Sequence, residues 1–297
     1  MQSFDPKELP TGKLHGLLLG AVGPRPIAFA STVDALGNIN LAPFSFFNVF
    51  SARPPILVFT PARRGRDNTT KHTYENVLEV PEVVINIVDY AMVHQMSLAS
   101  TEYPKGTNEF EKAGFTMLAS ETVRPFRVKE SPAQFECRVN DVIALGTEGG
   151  AGNLVICEVT RLHIRASLLD ENLQIDQKQI DTVARMGGNW YARAHGESLF
   201  EVPKPNQNPG IGIDQIAPDI RNSRILSGND LGQLGNVEDL PNETDVNEFR
   251  LTELSDIFVS LENNPEKLES ALHSKAKEYI AAGHLREAWL TLLSFNN

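Results

Sequence analysis

Between Arg25 and Phe59 the chain reads RPIAFASTVDALGNINLAPFSFFNVFSARPPILVF. Apolar and β-branched residues gather at Ile27–Val33, Asn38–Leu41 and Ile56–Thr60, which predicts three strands. Ala35, Leu36, Gly37 and Asn38 form the tight turn between the first two, because Gly and Asn tolerate the positive φ of hairpin turns. The connection to the third strand, Asn40 to Asn48, is expected as a loop. It carries three Phe and no charge, whereas a surface loop is ordinarily polar. Two readings fit: the rings form a platform for a flat apolar heterocycle, or they plug the end of a barrel.

The same β pattern continues downstream. Val83–Val88 is a β-branched run, too short for a helix. Ala133, Phe135, Cys137 and Val139 alternate with Gln134, Glu136, Arg138 and Asn140, the signature of a strand buried on one side. Val142–Leu145 and Leu154–Val159 flank a Gly149–Asn153 turn, and Leu162–Ala166 extends the sheet. Many strands joined by Gly and Asn turns favour an antiparallel barrel over a doubly wound sheet. Residues 13–22 read as a short apolar strand or edge element. Asp89 is placed to cap a helix bearing Met92, Val93 and Met96, and Thr107–Gly114 to form a short capped helix.

Two segments draw chemical interest. Pro61 to Thr73 is an island of Arg63, Arg64, Arg66, Lys71 and hydroxyls, and Thr69–Thr73 surround a predicted helix start. Hydroxyls, free N–H groups, a helix dipole and cations together make an anion site. The alternative is a solvated loop whose arginines bind nothing. Later, Arg185-Met186-Gly187-Gly188-Asn189-Trp190-Tyr191 places two glycines before two aromatics, either a bend that lets the backbone approach something closely or a helix end.

Arg25-Pro26-Ile27-Ala28, Ser31-Thr32, Asn40-x-Ala42-Pro43-Phe44-Ser45-x-Phe47-Asn48 and Pro54-Pro55 agree in order and spacing with one signature. By these residues the chain resembles the flavin reductase-like, FMN-binding split-barrel family over roughly residues 15–195. The resemblance implies a mainly β fold, an antiparallel split barrel with peripheral helices, that holds FMN and forms a homodimer. It places Lys71, Thr73 and Asn76 near the flavin phosphate; His72 departs from the pattern, which more often has an acid there. Arg25, Ser31, Thr32, Asn40, Ala42, Pro43, Phe44, Ser45, Phe47, Asn48 and Arg66 complete the cofactor-binding candidates. Arg185 joins them from an Arg-x-Gly-Gly-x-x-Tyr segment near the flavin or the dimer seam. No catalytic acid or base is assigned, since the cofactor carries the chemistry.

Composition narrows the partners. A formal net charge of −11 argues against nucleic acid, which selects a basic face. Gly20, Gly23, Pro24 and Pro26 interrupt the apolar Leu17–Leu19 stretch, so neither a signal h-region nor a membrane span is expected. Cys137 and Cys157 lack metal spacing and lie in apolar runs, the pattern of buried thiols in a reducing, cytoplasmic setting. Nucleotide-loop, zinc-protease and nucleophile-elbow motifs are missing, and Gly210-Ile211-Gly212 lacks the third glycine of a dinucleotide turn. The scattered histidines do not suggest a metal centre.

Three regions are expected: the barrel at 13–200, an irregular linker segment at 201–243, and helices at 244–297. Val202–Pro209 has a linker's Pro and Asn content. One amphipathic helix is expected from Asp245 to Leu261, a second from Asn264-Pro265 to Gly283, and a third carrying Leu285, Ala288, Trp289, Leu292 and Leu293. This tail is expected to cover barrel surface or reach across a dimer seam. Two functions stay open: an oxidoreductase in which NAD(P)H reduces the flavin, with a small molecule, free flavin or redox protein as acceptor; or a non-catalytic FMN carrier or interaction module.

Overall fold

A computed structural model describes residues 1–204 and 209–296; Pro205–Asn208, within the expected linker, lie outside the described residues. The chain divides into two compact units, Met1–Phe200 and Glu201–Asn297.

The N-terminal unit opens with helix α1, Thr11–Ala21, where a strand was expected. Leu14, Leu17, Leu18 and Leu19 are strong helix formers without β-branches, so an apolar run without alternation settles as helix. Strands β1 (Ala28–Val33), β2 (Ile39–Phe44), β3 (Phe47–Ala52), β4 (Pro55–Phe59) and β5 (Glu82–Asn86) follow, with helix α2 (His72–Glu79) between the last two. Helices α3 (Val93–Leu98) and α4 (Glu109–Ala113) and the short strands β6 (Met117–Leu118) and β7 (Arg127–Val128) lead to the long hairpin of β8 (Ala133–Ala144) and β9 (Asn153–Ile164). A small hairpin, β10 (Val183–Arg185) and β11 (Tyr191–Arg193), ends the unit. Asn40–Asn48, expected as a loop, is instead strand on both sides of Ser45-Phe46.

The main sheet has the order β2-β1-β5-β8-β9-β4-β3, antiparallel throughout. Its two edges are therefore consecutive in sequence, joined by Ser45 and Phe46 alone. A two-residue joint cannot span an open sheet, so the sheet curls until its edges meet, the architecture of a split barrel. Register shifts in β3 and β8 supply local bending. The turn after β1 is fixed by Asp34, whose carboxylate accepts from the Leu36 and Asn38 amides at 2.9 and 2.8 Å, with Gly37 at φ 85°.

Two cores flank the sheet. Ala28, Ala30, Phe44, Leu57, Phe59, Ile85, Val155 and both cysteines fill one. Ile27, Phe29 and Leu41 pack with Met92, Met96 and Phe110 in the other. Every residue of β1 is buried because it serves both. The alternation that marked β8 is thus a face choice, and Glu136 lies on the side away from Cys137. The Glu136 carboxylate is buried, yet it accepts from the Glu121 and Thr122 amides, the Thr122 hydroxyl at 2.7 Å and His163 at 2.8 Å. Burial raises its pKa most, but these hydrogen bonds together outweigh burial and bring it to about 2.

The C-terminal unit corrects the expected linker. Helices α5 (Pro218–Arg221) and α6 (Gly228–Leu234) lie inside 201–243, and a reciprocal Ser227–Asp230 cap starts α6. The expected first helix is two, α7 (Glu243–Glu253) and α8 (Ser255–Leu261), and Asn242 rather than Asp245 caps it. Helix α9 (Pro265–Ala281) starts at the Asn264 cap, and Gly283 at φ 78° turns the chain into α10 (Leu285–Leu293). Ile216, Ile220, Leu226 and Leu234 form one core with Ala276, Ile280, Ala288, Trp289 and Leu292. The buried Trp289 donates to the Leu234 carbonyl at 3.2 Å. Residues before 244 were misread because Gly, Asn and Asp break the periodicity while Ile and Leu still supply core. Among the described residues no helix is long and apolar enough to cross a membrane.

Two outcomes follow for stability. Glu136→Gln lowers stability at neutral pH by about 1–3 kcal/mol, because donors are left facing an amide. The folded-state pKa lies below the unfolded value, so this contribution is present above about 4.5 and fades as pH falls toward about 2. Thermal melts of wild type and variant should converge across that window; parallel curves would refute the assignment. A chain ended at residue 243 leaves Ile216, Ile220 and Leu234 without Trp289 and should aggregate more than one ended at residue 200. Light scattering of the two purified chains decides it.

Candidate functional site

The site is built where β2 passes the start of α2. Asn40 on β2 is buried, and its Nδ2 donates to the Thr73 hydroxyl at 2.8 Å and to the Thr32 hydroxyl at 3.4 Å. Asn76, one turn along α2, donates to Thr32 at 3.1 Å. These four polar side chains satisfy one another beneath the helix start, where a lone buried amide or hydroxyl would be costly. No side chain caps α2, although Lys71 stands at its N-cap position. The Tyr74 and Glu75 amides donate to the Lys71 carbonyl, while no side chain takes up the N–H groups of the first turn, the arrangement that favours an anion.

A small cavity of about 40 Å³ opens there, lined by Asn40, Ala42, Arg64, Lys71, Thr73, Glu102 and Glu109 among others. Its cations are already spoken for by one acid. The Glu102 carboxylate takes the Arg64 Nε at 3.0 Å, the Lys71 Nζ at 3.5 Å and the Arg66 guanidinium. Hydrogen bonding from Arg64 is the largest cause holding Glu102 below its usual value. Arg64 also reaches the Thr69 hydroxyl at 2.9 Å and the Thr70 carbonyl, which fixes the loop before the helix. Exposed ion pairs contribute at most about 1 kcal/mol each, so this cluster holds charge in place more than it holds the fold. Glu109 is buried and accepts the Leu41 amide at 2.9 Å; burial raises its pKa.

The structure thus brings Thr32, Asn40, Ala42, Lys71 and Thr73 together, with Arg66 on the rim at Glu102. Other candidates stand elsewhere. Ser31 is buried in β1 with its hydroxyl unpartnered. Pro43 pairs with Phe29 across the sheet. Phe44 turns into the barrel core 5.6 Å from Phe59, and Phe47 packs on the same cluster, which is the barrel-plug reading of the aromatic run. Ser45 is half-buried at the joint between the sheet edges, and Asn48 is exposed on β3, its side chain accepting the Val49 amide.

Arg25 is structural. Its guanidinium donates to the carbonyls of Leu19 at 2.7 Å, Met186 at 2.9 Å and Val22, tying the end of α1 to the β10–β11 turn. There Gly187 lets the backbone come close, since a Cβ would lie 3.1 Å from Gly20 Cα. The double-glycine segment is therefore a hairpin turn against α1. Arg185 lies over the Tyr191 ring at 4.6 Å and lines a different cleft. No motif marks Glu102, and Glu109 stands only within the predicted Thr107–Gly114 helix, read as scaffold. Both come from the 99–109 segment, whose contribution depends on how it folds back over β2.

The comparisons with known proteins agree with this architecture. Residues 21–184 match the model of the flavin reductase like domain. A protein of Aquifex aeolicus is 37% identical over 199 residues, 67% of this chain and 99% of its own. Among solved structures, nitrilotriacetate monooxygenase component B from Bacillus cereus is 31% identical, with TM-score 0.64 over 68% of this chain and 98% of that one. Pseudomonas fluorescens 2-nitrobenzoate 2-nitroreductase NbaA is 27% identical, with TM-score 0.61 over 70% of this chain and 100% of that one. Each match spans a length close to that of the N-terminal unit. A barrel closed at a two-residue joint, a polar cluster at the start of α2 and a family match over more than half the sequence lead to one conclusion: the chain belongs to the flavin reductase-like family.

Proposed function

We propose that the protein binds FMN with its phosphate at the β2–α2 cavity and works as an NAD(P)H-dependent oxidoreductase. The observation that carries this is the uncapped start of α2, where the buried Asn40–Thr73 pair lies beside Lys71 and Arg64. The residues fit a flavin with one phosphate. Lys71, Arg64 and the first N–H groups of α2 would hold the phosphate, and small Ala42 leaves room beside them. The chemistry the cofactor supplies is two-electron uptake from a nicotinamide and release to an acceptor. Glu102 keeps the cations aimed at one place, and Asn40 fixes the Thr73 hydroxyl. Two neighbours named as a monooxygenase component and a nitroreductase support a redox role. The acceptor is a small molecule, free flavin or a redox protein, in the cytoplasmic setting suggested by the sequence.

A homodimer belongs to the same proposal. Helix α1 has no buried residue, and Leu17 and Leu18 on it, Val22 just after it, and Val49 and Phe50 on edge strand β3 are exposed. So much apolar surface on one unit favours cover by a second copy, and closed two-fold pairs are the commonest solution.

Titration with FMN and riboflavin tests the phosphate site. Lys71→Ala should weaken FMN about ten- to hundredfold, the worth of a charge-assisted contact, and leave riboflavin unchanged. Glu102→Gln should tighten FMN, since it releases three cations. Asn40→Leu leaves Thr73 unpaired, and urea unfolding should show a loss of about 1–3 kcal/mol with weaker FMN. Anaerobic mixing with NADH and NADPH, followed at the flavin absorbance, tests the reaction. Equal binding of FMN and riboflavin, or a bound flavin that neither nicotinamide reduces, would overturn the reading.

A further inference from the structure

A second cleft of the N-terminal unit, about 380 Å³, lies between α3 and the β10–β11 hairpin. It shares no lining residue with the cavity at α2. Its volume falls within the range of small-molecule sites. Val93, Val183 and Ala192 give it an apolar floor, with Tyr90 and Tyr191 beside them.

Its two permanently charged lining groups are both arginines. Arg193 lies 3.7 Å from the Tyr90 ring centroid and is neutralised by Asp181 through two hydrogen bonds of 2.7 Å. Arg185 differs. Its guanidinium lies over the Tyr191 ring and gives one hydrogen bond, to the Trp190 carbonyl at 3.2 Å, and it has no carboxylate partner among the described residues. Ser97, His94 and Asn189 add further hydrogen-bonding groups, and no Asp or Glu lines the cleft. Nearby Arg25 adds to the positive field, with its own guanidinium committed to backbone carbonyls. A positive, apolar-floored cleft on a chain of net charge −11 selects for a particular ligand.

We infer that the cleft between α3 and β10–β11 binds a small aromatic carboxylate, its carboxylate on the Arg185 guanidinium and its ring against Val93, Val183 and the tyrosines. The guanidinium is held over the Tyr191 ring and by the Trp190 carbonyl, which limits the ordering needed when its fork meets a carboxylate. A neutral arene leaves that charge unanswered, an aryl cation is repelled, and a bare inorganic anion makes no use of the apolar floor.

Calorimetry of the full-length, flavin-loaded protein with benzoate and with benzamide tests this. Benzoate should bind about ten- to hundredfold more tightly than its neutral analogue. Arg185→Gln should bring benzoate down to the benzamide level. Arg185→Lys, which keeps the charge and loses the fork, should fall between. Lys71→Ala should leave benzoate binding intact, which separates this site from the proposed flavin site. Trp190, whose carbonyl holds Arg185, supplies a second readout, because the other tryptophan is buried in the C-terminal unit. Equal affinities for benzoate and benzamide in the wild type would overturn the inference even if Arg185→Gln failed to fold. So would loss of benzoate binding in Lys71→Ala, or displacement of the flavin by benzoate.

Discussion

The N-terminal unit depends on a chain-length constraint: Ser45 and Phe46 alone connect the two outer strands of the sheet. With so short a tether the edges must meet, and the sheet must curl around Phe44, Phe59 and the residues packed with them. The same curl carries Asn40 to the start of α2, where it meets Thr73. Barrel closure and the polar cluster are thus one event seen from two sides. Loss of the close joint would open the core and scatter the cluster together.

Much of this was legible from local pattern. The Asp34–Asn38 turn and the Gly149–Asn153 hairpin are short-range signals, and the structure has both; the alternation of β8 predicts the strand, but its polar face is exposed only from Arg138 on, because Gln134 and Glu136 are buried as well. Lys71 and Thr73 were marked by their place at a helix start. What escaped was set by distant contacts. Leu14, Leu17 and Leu18 stand at the i, i+3, i+4 spacing of a helix, but the run is short and unbroken at Leu17–Leu19, so the intrinsic preference of leucine had to separate helix from strand. Glu102 bears no motif, and it matters because the 99–109 segment returns to three cations more than thirty residues upstream. The region before residue 244 looked irregular because its Ile and Leu find partners only in α9 and α10.

The three arginines Arg25, Arg185 and Arg193 show why residue type alone assigns no role. Arg25 serves backbone carbonyls, and burial first, then the Arg185 charge, push it below the usual arginine value. Arg193 is closed off by Asp181. Arg185 keeps most of its donors: among the described residues it gives one hydrogen bond, to the Trp190 carbonyl, and it lies over the Tyr191 ring. In sequence the three are alike; their neighbours separate them.

Cys137 and Cys157 are fully buried on the adjacent strands β8 and β9. They are the chain's only cysteines, and both belong to the barrel. A thiol reagent therefore reacts only when those strands part, and the hydrogen bond with Cys157, followed by burial, pushes the Cys137 thiol pKa up. The rate of labelling is accordingly a clock for sub-global opening of the barrel. The pair makes the stability of one half of the molecule readable in the presence of the other.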